Sequence, residues 1–478
     1  MIFNSIQFLC FFAIILVLHN LPFPWRFKKF NLLLGSYIFY AAWNPPFVAL
    51  LWISTLVDWY AGKQLQKENR QGIRTLLFLA SVVTNLGLLG FFKYGGFLLE
   101  NFVALTDLLG FEFQPATPDI ILPVGISFYT FQTMSYTLDI YRKKREPAES
   151  FLDFALYVTF FPQLVAGPIV RSGHLIPQFE EPRKATGSDM VWGLGLLSLG
   201  LFQKVVLADG LLASTADAVF DSENRVGGMD AWMGTLAFSG QIFCDFSGYS
   251  TCAIGIGRCL GFSLPQNFHS PYAAIGFSDF WRRWHISLSS WLRDYLYIPL
   301  GGNRRGRVRT YANLMTTMFL GGLWHGASWT FVAWGVIHGL YLSLERFLSR
   351  ILVDRAWTRS MPIRLGAGVL TYFMVTLTWV FFRSQTFSTA WDLLQSMFGA
   401  GVGSRILSDL EISKVLVVTG GLVGAQWWLR NRRLESVVER APWWLIGPGW
   451  ALMVIVLMAT FRYLQSRGGS GAFIYFQF

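Results

Sequence analysis

The stretch that decides the fold is LGGLWHGASW, Leu320–Trp329, in which one histidine lies among small and aromatic residues. Apolar residues continue on both sides, over Met315–Leu323 and Trp329–Ile337. A titratable side chain inside a membrane segment is energetically costly and is a candidate for function. His325 is therefore the first candidate functional residue of the chain.

The composition is that of a membrane protein. Of the 478 residues, 53% are hydrophobic and 14% are charged, whereas soluble domains carry about 25% charged residues. We predict about ten to twelve transmembrane or re-entrant segments, because some apolar runs are long enough to span and others are short or broken by Gly or Pro. The clearest runs are Ile2–His19, Leu76–Phe92, Val191–Ala213, Val369–Phe382 and Trp443–Phe461.

The expected fold class is an all-α integral membrane protein. We predict a single polytopic domain over residues 1–478, with N-terminal helices in 1–119, a catalytic core in 120–347 and C-terminal helices in 348–478. The core is rich in Gly, Pro and polar residues, and irregular backbone at membrane depth survives only inside protein or beside a water-filled cavity. The helices are therefore expected to surround a central channel, with amphipathic helices at the membrane interface.

Basic residues cluster in short loops, as in PWRFKKF at 24–30 and NRRGRVR at 303–309. The positive-inside rule places these loops in the cytoplasm, which puts the N-terminus on the exoplasmic side. The stretch 100–119 has acidic residues and no Lys or Arg, so it should also be exoplasmic. The net charge of +11 then indicates contact with membrane lipid and requires no nucleic acid.

Three further stretches indicate a cavity. In ILPVGISFYTFQTMSYTLDIYR, 121–142, Pro123 and Gly125 open a helix that is too polar to face lipid all round. In FFPQLVAGPIVR, 160–171, prolines and glycines argue against a straight span. The third stretch, FCDFSGYSTCAIGIG at 243–257, contains an intramembrane carboxylate. The channel-lining candidates on it are Asp245, Ser247 and Tyr249.

The segment SDFWRRWHISLSSWLRDYL, Ser278–Leu296, predicts one amphipathic helix at the membrane interface. In helical projection its cationic stripe contains Ser278, Arg282, His285, Ser289 and Arg293, and its aromatic stripe contains Trp281, Trp284, Leu288, Trp291, Leu292 and Tyr295. Asp279 and Arg283 are spaced for an i,i+4 ion pair. An ordinary amphipathic surface helix explains the stripes equally well.

For His325 the residues leave two interpretations open. A buried imidazole should be neutral and able to accept a proton, and the small Gly322 and Gly326 beside Trp324 would let a narrow substrate approach. Alternatively, the histidine belongs to the core and the glycines serve helix packing. His338 is expected to face the opposite side of a continuous helix as a core residue.

No metal site is expected, because the histidines and cysteines lack the spacing of metal ligands. We interpret the four cysteines as small buried hydrophobes and expect no disulfide. The chain also lacks a Walker-type phosphate loop, a dinucleotide fingerprint and a G-x-S-x-G nucleophile elbow. A serine-hydrolase mechanism carried by this chain alone is therefore not expected.

Together, six stretches resemble the membrane-bound O-acyltransferase family, and more narrowly the membrane subunits of bacterial polysaccharide O-acetylation systems. They are LPVGISFYTFQTMSY, FFPQLVAGPIVR, FCDFSGYSTCAIG, FWRRWHISLSSWLRDYLYIPLGG, LGGLWHGASWTFVAWGVIHG and the terminal FIYFQF. The resemblance runs from about Leu122 to the C-terminus. The first hundred residues match only in hydropathy.

The resemblance implies that His325 is the catalytic histidine and that His285 is a second catalytic residue, which is His or Asn in relatives. It implies cytosolic acetyl-CoA as the donor, with no permanently bound cofactor. The acetyl group would cross the inner membrane for O-acetylation of an exopolysaccharide such as alginate or cellulose. Candidates for binding the CoA phosphates are Arg282, Arg293, Arg304 and Arg305, although membrane topology explains these arginines equally well.

The resemblance also implies a partner protein on the exoplasmic side, with a serine-type active site that transfers acetyl to the sugar. Within the same family, the alternatives are D-alanyl transfer to teichoic acid and acetyl transfer to peptidoglycan. An alternative of a different class is a solute channel or transporter in which His325 gates or relays protons. The absence of an internal repeat argues against a transporter.

Overall fold

The computed structural model describes residues 1–113, 115–116, 120–351, 360–399, 403–468 and 473–474. Over these residues the regular structure is helical and contains no β-strand, and one isolated bridge joins Val226 to Ser404. The all-α prediction is confirmed. The chain forms two compact units, one of residues 1–197 with 252–265 and one of residues 198–251 with 266–478. The predicted division into one domain with three sections stays a prediction.

The first unit contains the N-terminal helices and the two sequence stretches at 121–142 and 160–171. Its helices are α1 Ile6–Asn20, α2 Trp25–Ala41, α3 Val48–Lys67, α4 Gln71–Leu89, α5 Gly95–Leu108, α6 Ile126–Tyr141, α7 Phe151–Thr159, α8 Phe161–Leu164, α9 Ser172–Glu180 and most of α10 Gly187–Leu201. A π-helical turn over Gly90–Tyr94 joins α4 to α5.

Two of the predicted helix breaks are confirmed in this unit. Gly125 has φ 78° at the start of α6, a left-handed conformation that glycine adopts without strain. A Cβ atom at this position would lie 2.6 Å from the carbonyl oxygen of Leu164. In the second stretch Phe160 separates α7 from α8, and residues 165–171 form the loop that precedes α9. Most of α6 is buried, as expected for a helix too polar for lipid.

The second unit begins at Ser198, and a π-helix over Phe202–Ala213 continues α10. The helices that follow are α11 Ser214–Phe220, α12 Gly228–Cys259, whose last residues belong to the first unit, α13 Phe277–Arg283, α14 Ile286–Leu292, α15 Arg307–His325, α16 Trp329–Ile351, α17 Met361–Arg383, α18 Phe387–Met397, α19 Asp409–Leu429, α20 Leu434–Arg440 and α21 Trp443–Ser466. Its core is aromatic, with Trp284, Trp334 and Trp379 fully buried.

Among the described residues, five helical segments are long and apolar enough to cross a membrane. They are Gln71–Leu108, Gly187–Phe220, Met361–Arg383, Asp409–Leu429 and Trp443–Ser466. Four of them contain predicted apolar runs, whereas the span at Asp409–Leu429 was not among the runs singled out in the sequence. The chain is therefore a multi-pass membrane protein.

The interpretation of the cysteines was correct for three of the four. Cys244, Cys252 and Cys259 are buried, and all four thiols are free. Cys10 is exposed on α1. It lies in an apolar helix whose outer side chains, such as Ile6 and Ile14, are also exposed. Such a surface is expected to face lipid rather than water.

Candidate active site

A tight helical hairpin positions His325, the last residue of α15. The chain reverses over Gly326–Ser328 and α16 returns along α15. A Cβ atom at Gly322 would overlap the carbonyl oxygen of Phe331, and one at Gly335 would overlap that of Met318. Two helices can approach this closely only where both lack side chains. The glycines therefore fix the histidine at the tip of the hairpin.

Aromatic rings surround His325, which is 2% exposed. Its ring lies 4.9 Å from the Trp334 ring, 5.0 Å from the Trp324 ring and 5.4 Å from the Phe382 ring, measured between centroids and with edge-to-face orientations. Such surroundings favour the neutral imidazole, which can accept a proton.

The prediction of one continuous helix over Ser278–Leu296 is wrong. The chain forms α13 and α14 instead, and it breaks at Trp284–His285. His285 has φ 43°, which is uncommon for a residue other than glycine. Asn267 supports the break, because its carbonyl oxygen accepts from the Ile286 N–H at 2.9 Å and its side-chain oxygen accepts from the Ser287 hydroxyl at 2.9 Å.

The break turns His285 inward, whereas Arg282 and Arg293 of the predicted cationic stripe are exposed. His285 is 0% exposed, and its ring lies 4.6 Å from the Phe246 ring and 5.8 Å from the Trp324 ring. A backbone conformation that costs roughly 1–3 kcal/mol is found preferentially at functional sites. The two histidines are thereby brought together, with ring centroids 6.3 Å apart.

This geometry permits two kinds of acyl-transfer chemistry. A neutral imidazole can deprotonate an attacking hydroxyl as a general base, or it can attack a thioester as a nucleophile. The second imidazole, 6.3 Å away, can donate a hydrogen bond to the oxyanion that forms on the acyl carbon. The surrounding aromatic rings exclude water, which strengthens each of these electrostatic interactions.

His338 does not lie on the same continuous helix as His325, contrary to the sequence-based expectation, because the chain turns between α15 and α16. Its ring contacts Trp334 at 4.8 Å, and its Nε2 lies 3.1 Å from the Thr378 hydroxyl. The residue is fully buried. These contacts agree with the role expected for it, that of a core histidine.

Asp245 lies in a buried cluster of charges rather than alone. It forms an ion pair with Lys204, which also pairs with Asp209 at 2.9 Å. The other carboxylate oxygen of Asp245 accepts from the backbone N–H of Ile474 at 2.8 Å. The next residue along α12 is Phe246, whose ring contacts His285. The cluster and the histidine pair are thus neighbours along one helix.

The other channel candidates have mixed surroundings. Ser247 donates to Gln203 at 3.5 Å, and the Tyr249 ring is buried 4.9 Å from the Phe473 ring. The Trp324 ring contacts the rings of both histidines. The expected space beside Gly322 and Gly326 is filled by Phe331. This agrees with the packing alternative for the two glycines, and their role in a substrate channel stays a prediction.

The four arginines proposed for CoA phosphates lie on the surface of the second unit. The side chain of Arg282 is 74% exposed, Arg293 pairs with Asp294 at 2.8 Å, and Arg304 and Arg305 are exposed. The predicted ion pair between Asp279 and Arg283 is present at 3.0 Å. The phosphate role of the four arginines stays a prediction.

Several residues of the site were missed in the sequence. Lys204 and Asp209 lie five residues apart within an apolar run, and an intramembrane Lys–Asp spacing of that kind is a usable signal. Phe246, Trp334 and Phe382 gave no signal of their own, because aromatic residues are common throughout the chain. Only the fold shows that their rings enclose the histidines.

Comparison with known proteins identifies the family of the chain. The sequence model described as "MBOAT, membrane-bound O-acyltransferase family" matches residues 38–387. The chain is 38% identical to the "Probable alginate O-acetylase AlgI" of Pseudomonas putida, over 100% of both chains. It is 39% identical to the "Peptidoglycan O-acetyltransferase" of Helicobacter pylori, over 87% of this chain and 81% of that protein.

A more distant relative is the "Teichoic acid D-alanyltransferase" of Streptococcus thermophilus. It is 26% identical over 55% of this chain and 65% of its own length. The names of these relatives share acyl transfer and differ in the acyl group and the acceptor. The family match covers the predicted core, including both histidines. The chain belongs to the membrane-bound O-acyltransferase family and is an acyltransferase.

Proposed function

We propose that this acyltransferase takes acetyl from cytosolic acetyl-CoA and delivers it across the inner membrane for O-acetylation of an exopolysaccharide. The observation that carries the proposal is the pair of buried histidines, 6.3 Å apart within an aromatic enclosure. The relatives named as alginate O-acetylases support acetyl as the acyl group and alginate as the acceptor. This function also agrees with the multi-pass fold.

In the proposed reaction His325 acts as the general base. It takes the proton from the acceptor hydroxyl while the hydroxyl oxygen attacks the acetyl carbonyl carbon, and His285 donates to the oxyanion that forms. The carbon–sulfur bond then breaks. The CoA thiolate leaves and takes the proton from the His325 imidazolium, which restores the neutral base.

A covalent variant of this reaction uses the same residues. The His325 imidazole attacks the thioester, the carbon–sulfur bond breaks, and the CoA thiolate leaves with the N–H proton of the imidazole as the thiol. The acetyl-imidazole then transfers its acetyl group to the hydroxyl oxygen, and the hydroxyl proton returns to the imidazole. Arg282, Arg293, Arg304 and Arg305 are proposed to bind the CoA phosphates, since they are exposed and arginine matches phosphate with paired donors. No permanently bound cofactor takes part in either route.

A partner protein completes the proposed system. It lies on the exoplasmic side and uses a serine-type active site to place acetyl on the sugar. The reason is that this chain has no nucleophile elbow of its own. Proteoliposomes that release CoA without the partner, but acetylate oligosaccharide only with it, would support this division of labour.

The second candidate function is D-alanyl transfer, which the name of the Streptococcus relative favours. The two functions differ in the donor, so the donor is the quantity to test. Purified protein in proteoliposomes is given radiolabelled acetyl-CoA, or a D-alanyl carrier protein, on one side of the membrane. We expect CoA release with acetyl-CoA alone, because the acetyl group can pass slowly to water or, in the covalent variant, to the His325 imidazole. Turnover only with the carrier protein would assign the chain to D-alanyl transfer, and turnover with neither would contradict both functions.

A further inference from the structure

The second unit contains a cavity of about 570 Å³ beside the buried charge cluster. Its inner wall includes Lys204, Asp209, Asp245 and Gln241, and its outer wall includes residues at the ends of α17 and α21. Its volume lies within the range of ligand pockets, about 300–1,000 Å³. Asp245 precedes Phe246, whose ring contacts His285. The cavity and the histidine pair therefore contact consecutive residues of α12.

The cavity is on the exoplasmic side in the predicted topology. The loop between α19 and α21 carries Arg430, Arg432 and Arg433, which places it in the cytoplasm. Both helices qualify as membrane spans. The end of α21, with Tyr463 and Arg467 at the cavity, therefore lies across the membrane from that loop.

The inner wall offers hydrogen-bond acceptors that the protein does not use. Gln241 is 8% exposed, and among the described residues its Oε1 receives no hydrogen bond. The Oδ2 atom of Asp209 is buried and equally without a donor, while its Oδ1 pairs with Lys204. Buried acceptors without partners are costly. They are satisfied by a ligand that brings hydroxyl donors.

The outer wall of the cavity contains a cationic side chain, Arg467. Arg383 is occupied by Asp217 and Asp221, both at 3.0 Å. The Arg467 guanidinium lies 5.0 Å from the Tyr463 ring centroid and forms no ion pair within the described part of the chain. A free guanidinium at the rim of a cavity matches a carboxylate, which it binds through paired donors.

We propose that this cavity binds an acidic saccharide, with sugar hydroxyls on Gln241 and Asp209 and a uronate-type carboxylate on Arg467. The inference rests on the proposed function, because it places the saccharide on the exoplasmic side of this chain, where the partner's serine-type site would acetylate it. An aromatic ring such as that of Tyr463 provides a surface for the apolar face of a sugar. A neutral polysaccharide has no carboxylate for Arg467 to bind. A purely ionic ligand has no hydroxyl groups that could donate to Gln241 and Asp209.

Binding of alginate oligosaccharide to the full chain in lipid nanodiscs, measured by calorimetry, tests the proposal. Gln241→Leu should weaken binding about tenfold, because it removes a buried acceptor while keeping the side-chain volume. Arg467→Gln should weaken alginate binding by a similar factor and leave the binding of a neutral cello-oligosaccharide unchanged. Arg467 is at the surface, so this variant tests the site even if Gln241→Leu fails to fold.

The matched control is Thr235→Val on α12. The Thr235 hydroxyl is buried and donates to the carbonyl oxygen of Ala231, outside the cavity lining. This variant should bind alginate oligosaccharide as the unmodified chain does. The proposal would be overturned if alginate oligosaccharide did not bind the unmodified chain. It would also be overturned if Gln241→Leu and Arg467→Gln bound the oligosaccharide as strongly as the unmodified chain. A serine-bearing peptide of the partner that binds in place of the saccharide would also overturn it.

CoA release from acetyl-CoA, measured on the same samples, separates the two proposals. Both cavity variants should release CoA at the wild-type rate in the absence of acceptor, since neither residue contacts the histidines. Oligosaccharide binding without CoA release would leave the saccharide site standing and reject the proposed function. CoA release without oligosaccharide binding would support the proposed function and reject the saccharide site.

Discussion

The second unit buries polar groups in two contrasting ways. The histidine pair lies among the rings of Trp324, Trp334 and Phe246, whereas Lys204 forms ion pairs with two carboxylates. An imidazole avoids the cost of burial by remaining neutral. A pair of buried aspartates instead needs a compensating cation. The same apolar surroundings thus produce a neutral proton acceptor in one place and a fixed charge cluster in the other.

The largest effect on stability is expected from removing the cation of the cluster. Lys204→Met leaves Asp209 and Asp245 buried without their ion pairs, which should lower the free energy of unfolding by about 3–5 kcal/mol. The unfolding temperature in detergent, followed by tryptophan fluorescence, measures this. The triple variant that adds Asp209→Asn and Asp245→Asn should recover most of the loss. A single variant as stable as the triple variant would show that the charges are not coupled.

A smaller effect is expected at the hairpin that carries His325. Gly322→Ala forces α15 away from α16, because its Cβ would overlap a backbone carbonyl oxygen. The cost should be about 1–3 kcal/mol, and the displaced histidine should also lose activity. Gly420→Ala on α19 is the matched control, since nothing lies within 4 Å of its Cβ position. Equal stability and activity of both variants would contradict the packing role.

His285 should affect the transfer rate more than the fold. His285→Ala removes a hydrogen-bond donor to the oxyanion and should lower the rate of CoA release about tenfold. His285→Asn should retain more activity, because asparagine keeps a donor and tolerates a left-handed backbone better than most residues. Rates measured at saturating donor compare the two variants. Equal losses would indicate that the backbone conformation, and not the donor, is what matters.

The smallest effect concerns an ion-paired group at the membrane interface. Half-burial acts to raise the pKa of the Asp279 carboxyl. The hydrogen bond from the Ile275 N–H and the positive charges of Arg430 and Arg283 lower it by more, so the net pKa lies below its ordinary value. Its contribution to stability is complete above about pH 4 and is lost as the pH falls through the lowered pKa.

The variant Asp279→Asn checks this pH dependence. It should be less stable than the unmodified chain at pH 7, and the difference in unfolding temperature should shrink on acidification below about pH 4. Measurements on both proteins between pH 7 and pH 3 give the comparison. A difference that is constant with pH would exclude a role for the ionised carboxylate.

The sequence predicted the class of fold, the breaks at Gly125 and after Phe160, and His325 as the residue of interest. These features depend on local composition, which a single sequence displays. The break at His285 was not predictable, because Asn267 causes it from a distant position. The amphipathic pattern around it matched a continuous helix equally well. The pairing of Lys204 with Asp245 likewise depends on the packing of helices that are distant in the sequence.

CoA release by the purified chain, compared between wild type, His325→Gln and His338→Gln, tests the central claim most directly. All three proteins are checked for a single monodisperse peak, and His338→Gln serves as the control because that residue is equally buried and contacts the same tryptophan. We predict that His325→Gln loses roughly 10²–10⁴-fold in rate and that His338→Gln stays near wild type. A folded His325→Gln protein that releases CoA at the wild-type rate would contradict the assignment of His325 as the catalytic histidine.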